Sequence, residues 1–467
     1  MISAASKVEK VCQVLETIFP SQLHRPGSKP YEAEILRYWS VRNTEQRPAC
    51  MFMPNTATDV AFVVKLIAGY DVPFAIKSGG HNANIGFASI KDGILIALVK
   101  MDKVTYNGDK TAWVGPGGRW DRVCEQLGEF GQTALGTRTG DVGVSGYLLG
   151  GGLSFLSGQY GLGADQIIEA EVVLADGRIV FATQYENPDL FFAMKGGGNR
   201  LGIFTNFKIK THPIGLVYAG YVIWDGKYSS QVLSYYHKFV TEVKDPKANA
   251  VPFLTKSKTL DQFLMFLFYD GTDPGHVFDD FLSLPCMVSN VKIQKYSDFL
   301  YGNNKVTLIP GLGWGTRAAT LRPDEDLLQF AHKTWLELSN SVIEKNDTIV
   351  CLAIQPLPPT TSRGAEASGL YSLPPDNIII LEIADGWPRA EDTDVIVDHM
   401  KSIIDTFEDY KKHKGHHYGY LPLYVNGAWV DQSADVLPML KGYEIWKKAV
   451  AKYDPTGFWK KTGGWKI

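Results

Sequence analysis

Apolar and polar positions along the chain switch between two periods, and the switches outline its elements. Near the N-terminus, MISAASKVEKVCQVLETIF spaces its apolar residues as an amphipathic helix does. From Cys50 the text alternates: MFMP reads as a short strand, DVAFVVKLIAGY as a helix, PFAI as another strand and GILIALVKMDKVTYN as more strand. A further helix follows Pro116-Gly117-Gly118, with Trp120, Val123, Cys124 and Leu127 spaced for one face. Short strands separated by helices or turns predict an α+β fold. Beyond residue 214, runs such as FLMFLFY and DNIIILEIADGW suit a sheet packed by helices.

Glycine breaks this pattern in two places. In Pro73 to Phe87, PFAIKSGGHNANIGF, an apolar run ends in Lys77, Ser78, Gly79 and Gly80 before His81. Backbone turned by paired glycines can point several N–H groups at one anion and let it approach closely, which suits a pyrophosphate. His81 then stands where it touches whatever the pyrophosphate carries, although a tight turn after a strand explains the same residues equally well. The stretch from Gly136 to Gln166, GTRTGDVGVSGYLLGGGLSFLSGQYGLGADQ, is denser still and implies backbone wrapped on something flat or anionic. Helix crossings and bulges also use glycine. A dinucleotide fingerprint of the G-x-G-x-x-G type is absent here: read from Gly150 its sixth position is Phe155, and read from Gly196 it is Leu201. No phosphate-binding G-x-x-x-x-G-K-[ST] loop occurs either.

Composition narrows the class of partner. With 467 residues the chain has room for two or three domain-sized units, and 45% hydrophobic against 21% charged residues marks a folded protein. Lys+Arg 47 against Asp+Glu 50 leaves a net charge of −3, so nothing draws the chain to nucleic acid or to an anionic membrane. No window is apolar for long enough to cross a bilayer. Small-molecule chemistry becomes the default, in a monomer or a homodimer. The N-terminal helix lacks the continuous apolar core of a signal peptide, so cytoplasmic residence and secretion of a trimmed chain both fit. The 5 cysteines are scattered without a CxxC pair, which leaves room for one disulfide but not for a zinc ribbon. His413, His416 and His417 sit in KKHKGHHYGY, a lysine-rich turn that reads as solvated loop, so no metal is expected. Asn346-Asp347-Thr348 is a formal glycosylation acceptor.

A candidate for proton chemistry emerges from the strand Ile378 to Trp387. Alternation sends Ile378, Ile380, Glu382 and Ala384 to one face and Ile379, Leu381, Ile383 and Asp385 to the other. Glu382 thus stands on an otherwise apolar face, where burial raises a carboxyl pKa towards the range a general base needs. An ion pair with a neighbouring Lys or Arg would explain it as well.

The segments SGGH at 78–81, GDVGVSGYLLGGGLSFLSGQYGLGAD at 140–165, EVVLADGRIV at 171–180, ENPDLFFAMKGGGNRLGIFTNFKIKTHP at 186–213 and KYDPTGFW at 452–459 carry a family resemblance. The chain resembles fungal members of the vanillyl-alcohol oxidase superfamily, on the berberine-bridge-enzyme-like branch, over nearly its whole length. The resemblance implies a PCMH-type FAD-binding domain of two α+β subdomains, residues 1–213 with a C-terminal return over 421–467. It also implies an inserted substrate domain, 214–420, built as an antiparallel sheet covered by helices.

The same resemblance assigns residues to FAD. His81 falls at the histidine bonded covalently to the flavin 8α-methyl carbon, and Thr139 stands where many relatives carry a second, cysteinyl link, so a single link is expected. Lys77, Ser78, Gly79, Gly80 and Asn82 would hold the pyrophosphate. Thr139, Asp141, Gly143, Val144 and Gly146 would line the isoalloxazine and ribityl portion, Gly202 and Ile203 would approach the adenosine half, and Asn426 would hydrogen-bond the flavin side chain. Glu382 falls, relative to Trp387, where relatives carry an active-site Glu or Gln. Tyr424 in YVNGAWVD matches the family's Y-x-N-Y segment, whose second tyrosine is replaced here by Gly427. The base is therefore expected among Glu382, Tyr424 and Asp385, or a water. Trp314 and Arg317 are candidates for the pocket mouth. The function implied is oxidation of a small metabolite by hydride transfer to FAD, with reoxidation by molecular oxygen; a redox-neutral cyclase or isomerase is the second reading.

Overall fold

A computed structural model describes residues 3–358, 369–416, 419–432 and 436–465. The expected N-terminal helix spans Ala4–Ile18, capped by Ser3, whose hydroxyl accepts the Ser6 N–H, and it buries Val8, Val11, Cys12 and Leu15. Cys12 is joined by a disulfide to Cys50 on the strand Cys50–Phe52. That strand belongs to a 4-stranded sheet ordered Leu23–His24, Cys50–Phe52, Ile94–Ala97, Phe74–Lys77, in which Ile94–Ala97 pairs in parallel with both neighbours. The helix Ala57–Tyr70 connects two of these strands; Thr56 and Asp59 form its capping box.

A 5-stranded antiparallel sheet follows, ordered Val104–Tyr106, Thr111–Val114, Ile203–Lys210, Ile167–Val173, Ile179–Thr183. The chain then builds an 8-stranded antiparallel sheet whose long strands are Leu216–Asp225, Asp261–Tyr269, Ala248–Lys256, Val350–Leu357, Ile378–Trp387 and Gly313–Leu321. The helices Glu325–Asn346 and Thr393–His413 cover one face of it, burying Ile379, Leu381 and Ile383 against Leu328, Trp335, Ile396 and Met400. The opposite face of this sheet looks back at the glycine-rich segments.

The C-terminal segment closes on the N-terminal part. Phe458 and Trp459 enter the core beneath the 4-stranded sheet, Arg200 donates to the carbonyls of Trp459 and Trp465, and the helix Tyr443–Tyr453 pairs Lys452 with Asp189 on the helix Pro188–Met194 at 2.6 Å. The formal glycosylation triplet is closed off: Asn346 donates to Asp392 at 2.8 Å and Thr348 is buried. Of the histidines in the lysine-rich turn, His413 bonds the Asp409 carbonyl and His416 lies 3.9 Å from Asp324; His417 lies outside the described residues.

Candidate active site

The two glycine stretches meet backbone to backbone. A Cβ added to Gly79 would fall 2.5 Å from the Gly143 Cα, and one added to Gly143 would fall 2.3 Å from the Gly79 nitrogen, so neither loop tolerates a side chain at the crossing. Arg119 ties the pair together, donating to the Gly79 carbonyl at 2.9 Å while pairing with Asp141 at 2.8 Å. Among the described residues, the backbone N–H groups of Gly79, Gly80, His81 and Asn82 have no protein acceptor. Unsatisfied donors converging in a turn form an anion cradle.

This cradle opens into a cavity of about 410 Å³ that runs on to the bare face of the 8-stranded sheet. Ser78, Gly79, Gly80, His81 and Asn82 line one end, with Thr139, Gly143, Gly146 and Asn426 alongside. The His81 ring stacks on Trp39 at 4.6 Å, and Trp39 stacks in turn on Trp314 at 5.2 Å. Burial, with Arg119 close by, pushes His81 down to about 3, so the imidazole is neutral with a lone pair free. Asn426 bonds the Tyr147 carbonyl at 3.2 Å and fills the space beside Gly150.

The far end of the cavity is walled by side chains. Glu382 and Ala384 enter it from the strand Ile378–Trp387, with Cys351, Ala353 and Gln355 from the neighbouring strand, Tyr424 from the C-terminal segment, and Phe253 and Leu264 from strands further across the sheet. Glu382 accepts a hydrogen bond from Gln355 at 2.7 Å, and Gln355 accepts one from Arg138 at 2.7 Å. Burial, opposed by the Arg138 charge and the Gln355 bond, pushes Glu382 up to about 7. Tyr424 is pushed up to about 12, chiefly by burial and also by Glu382. A Cβ at position 427 would lie 2.9 Å from Glu382 Oε2, so the carboxyl occupies the room that the missing side chain leaves. The helix Tyr296–Thr307 fastens this wall to the glycine loop: Asn303 donates to the Arg138 carbonyl at 3.0 Å, and Thr139 and Thr307 hydroxyls bond at 3.4 Å.

Several expected residues stand elsewhere. Lys77 is fully buried and ion-paired with Glu34, below the loop rather than in it, because the strand alternation turns it away from the cavity. Asp141 is turned out to Arg119, and Val144 is packed in the core with its N–H bonded to the Gly118 carbonyl at 3.0 Å. Gly202 and Ile203 lie against Val172 and Val173 in the 5-stranded sheet, away from the cavity. Asp385 faces the helix-covered side, 3.3 Å from His399, and accepts the Cys351 N–H at 3.3 Å. Trp314 does line the cavity, whereas Arg317 is buried on Asp431 at 2.8 Å.

Sequence reasoning passed over Arg138, Gln355, Trp39 and Cys351. For Gln355 a signal existed: in VCLAIQPL the alternation that picked out Glu382 leaves Gln355 alone with Cys351 and Ala353 on one face. Arg138 and Trp39 had none, since each reaches the cavity only through tertiary packing.

The FAD binding domain family matches residues 48–183, which include both glycine loops. The uncharacterized FAD-linked oxidoreductase of Arthroderma benhamiae is 33% identical over 465 residues, covering 95% of this chain and 92% of that protein. The chain belongs to the FAD-linked oxidoreductases. An FAD-dependent monooxygenase of Arthrobotrys oligospora is 31% identical, covering 97% of this chain and 88% of the relative. In fold, berberine bridge enzyme from Eschscholzia californica superposes with a TM-score of 0.78 at 17% identity, covering 96% of each chain. The protein is thus an FAD-linked enzyme with the PCMH-type fold of that group. Its residues fit the cofactor: an anion cradle of free N–H groups, a crossing that excludes Cβ atoms and a cavity continuing from it are what a diphosphate-linked flat ring requires.

Proposed function

We propose that this FAD-linked oxidoreductase oxidises a small, largely apolar metabolite in the cavity between the glycine loops and the bare sheet face. FAD, when bound, supplies a two-electron acceptor for the hydride the substrate gives up, and oxygen serves as the final acceptor. Residues 78–82 hold its diphosphate, and His81, neutral and fixed by stacking on Trp39, carries the cofactor through a single covalent bond. Thr139 has no sulfur for a second one. The inserted part, 214–420, forms the substrate side.

Glu382 removes the substrate proton. Its carboxyl is the acidic group facing this cavity among the described lining residues, and a value near 7 leaves it partly ionised at neutral pH, where a base works best. Tyr424, at about 12, keeps its proton and serves as a hydrogen-bond partner. Asp385 has no route to the cavity and takes no part. The observation that carries this reading is Glu382 on the cavity wall, in the room left by Gly427.

Anaerobic mixing of the purified yellow protein with a panel of apolar hydroxylated metabolites tests the reaction. Bleaching by at least one, reversed by air, is expected; tight binding without bleaching would replace oxidation by a redox-neutral isomerisation. Acid precipitation tests the attachment: colour should stay with the pellet of the wild type and leave with the supernatant of His81→Ala.

A further inference from the structure

Arg138 is buried, yet among the described residues no carboxylate pairs with it directly. Its Nη1 donates to Gln355 at 2.7 Å and its Nη2 donates to the Pro356 carbonyl at 3.4 Å, while Nε has no partner among the described residues. A buried guanidinium without a directly bonded anion is costly, and removing it from water asks for a compensating interaction. The Phe155 ring lies 5.9 Å from the guanidinium carbon, and the anionic partner is reached indirectly. The carboxamide of Gln355 takes the Arg138 proton on its oxygen and donates from its nitrogen to Glu382 Oε2 at 2.7 Å. Because Arg138 can only donate, the Gln355 amide has one workable orientation: oxygen to Arg138, nitrogen to Glu382. That orientation offers Glu382 a donor and no acceptor on this side, which favours the ionised carboxylate on this oxygen.

We propose that Arg138, acting through Gln355, is the positioning residue that keeps Glu382 available as a proton acceptor inside a cavity that would otherwise hold it protonated. The inference rests on the reading of Glu382 as the base, and deepens it. Other groups around Glu382 do not supply this bias. Tyr424 faces it as a neutral phenol; across the sheet its partners are Ala318 and Ala353; Arg317 beside Ala318 is committed to Asp431; Cys351, further along the same face, bonds Thr255. Asp385 and His399 lie on the opposite side of the strand. Arg138, on the glycine loop, is held by residues from beyond it: its carbonyl takes the Asn303 amide and its guanidinium bonds Gln355, so the relay spans the seam between the glycine loop and the sheet.

The test is a titration of the Glu382 carboxyl in the holoenzyme by infrared difference spectroscopy, following the protonated-acid band that disappears in Glu382→Gln. In Arg138→Gln the midpoint should rise by about one pH unit or more, because the cation that favours the charged form is gone. Gln355→Leu, which keeps the strand and its volume, should raise it too and serves as the test if Arg138→Gln fails to fold. A folded Gln355→Leu or Arg138→Gln holoenzyme that titrates at the wild-type midpoint overturns the relay. Turnover is not read, so that result leaves the role of Glu382 standing, and loss of the Glu382 role leaves the titration readable.

Discussion

The strand Ile378–Trp387 carries one buried carboxyl on each face, Glu382 and Asp385, and burial raises both. Their surroundings differ in kind. Asp385 is enclosed by the two covering helices, with His399 3.3 Å away and the Cys351 N–H bonded to it, so it has no path to a reacting molecule. Glu382 has a donor amide on one side and open cavity on the other. A raised pKa therefore does not identify a catalytic group; a raised pKa with a path to a reacting molecule does.

Substitutions at the two sites should separate them. Glu382→Gln should slow flavin reduction by a reducing substrate by about 10²- to 10⁴-fold, the usual contribution of a positioned base, whereas Asp385→Ala should leave the rate within a few-fold. The stability effects should run the opposite way. The folded state holds the Glu382 proton up to about pH 7 while the unfolded chain releases it near 4.5. Stability is then lost as pH rises through that window, and Glu382→Gln should be more stable than wild type by about 3 kcal/mol at pH 8 and equal to it at pH 4, as read by urea unfolding of the holoenzyme. Asp385→Ala should instead lose about 2 kcal/mol, since the Cys351 N–H loses its acceptor and His399 keeps only its contact with Ser339. The smallest loss expected at the Glu382 site itself is at Gly427→Ala: a Cβ 2.9 Å from Glu382 Oε2 shifts the carboxyl without removing it, and should cost about tenfold in reduction rate, or about 1.4 kcal/mol.

The same contrast explains what could be read beforehand. The α+β class, the helix Ala4–Ile18 and the face assignment of Glu382 follow from periodicity, which is local. The cradle at 78–82 follows from glycine chemistry, also local. Lys77 was misplaced because it lies at the boundary between strand and loop, where one residue decides which way a side chain points; the strand Phe74–Lys77 extends far enough to turn it onto Glu34. Val144 and Asp141 share a motif with cavity residues, but the first turn of the helix Val144–Leu149 sends Val144 into the core and the ion pair with Arg119 draws Asp141 outward. Arg138 and Gln355 are 217 residues apart and meet only once the sheet has docked on the glycine loop. No pattern within either segment foretells that bond.

If Glu382 is the base, its ionisation gates the reaction. The most direct measurement is the rate of anaerobic flavin bleaching by a substrate, followed from pH 5 to 9 in the wild type and in Glu382→Gln. The rate should rise with pH through a midpoint near 7 in the wild type and stay slow and flat in the variant. The same rising limb in Glu382→Gln would contradict it.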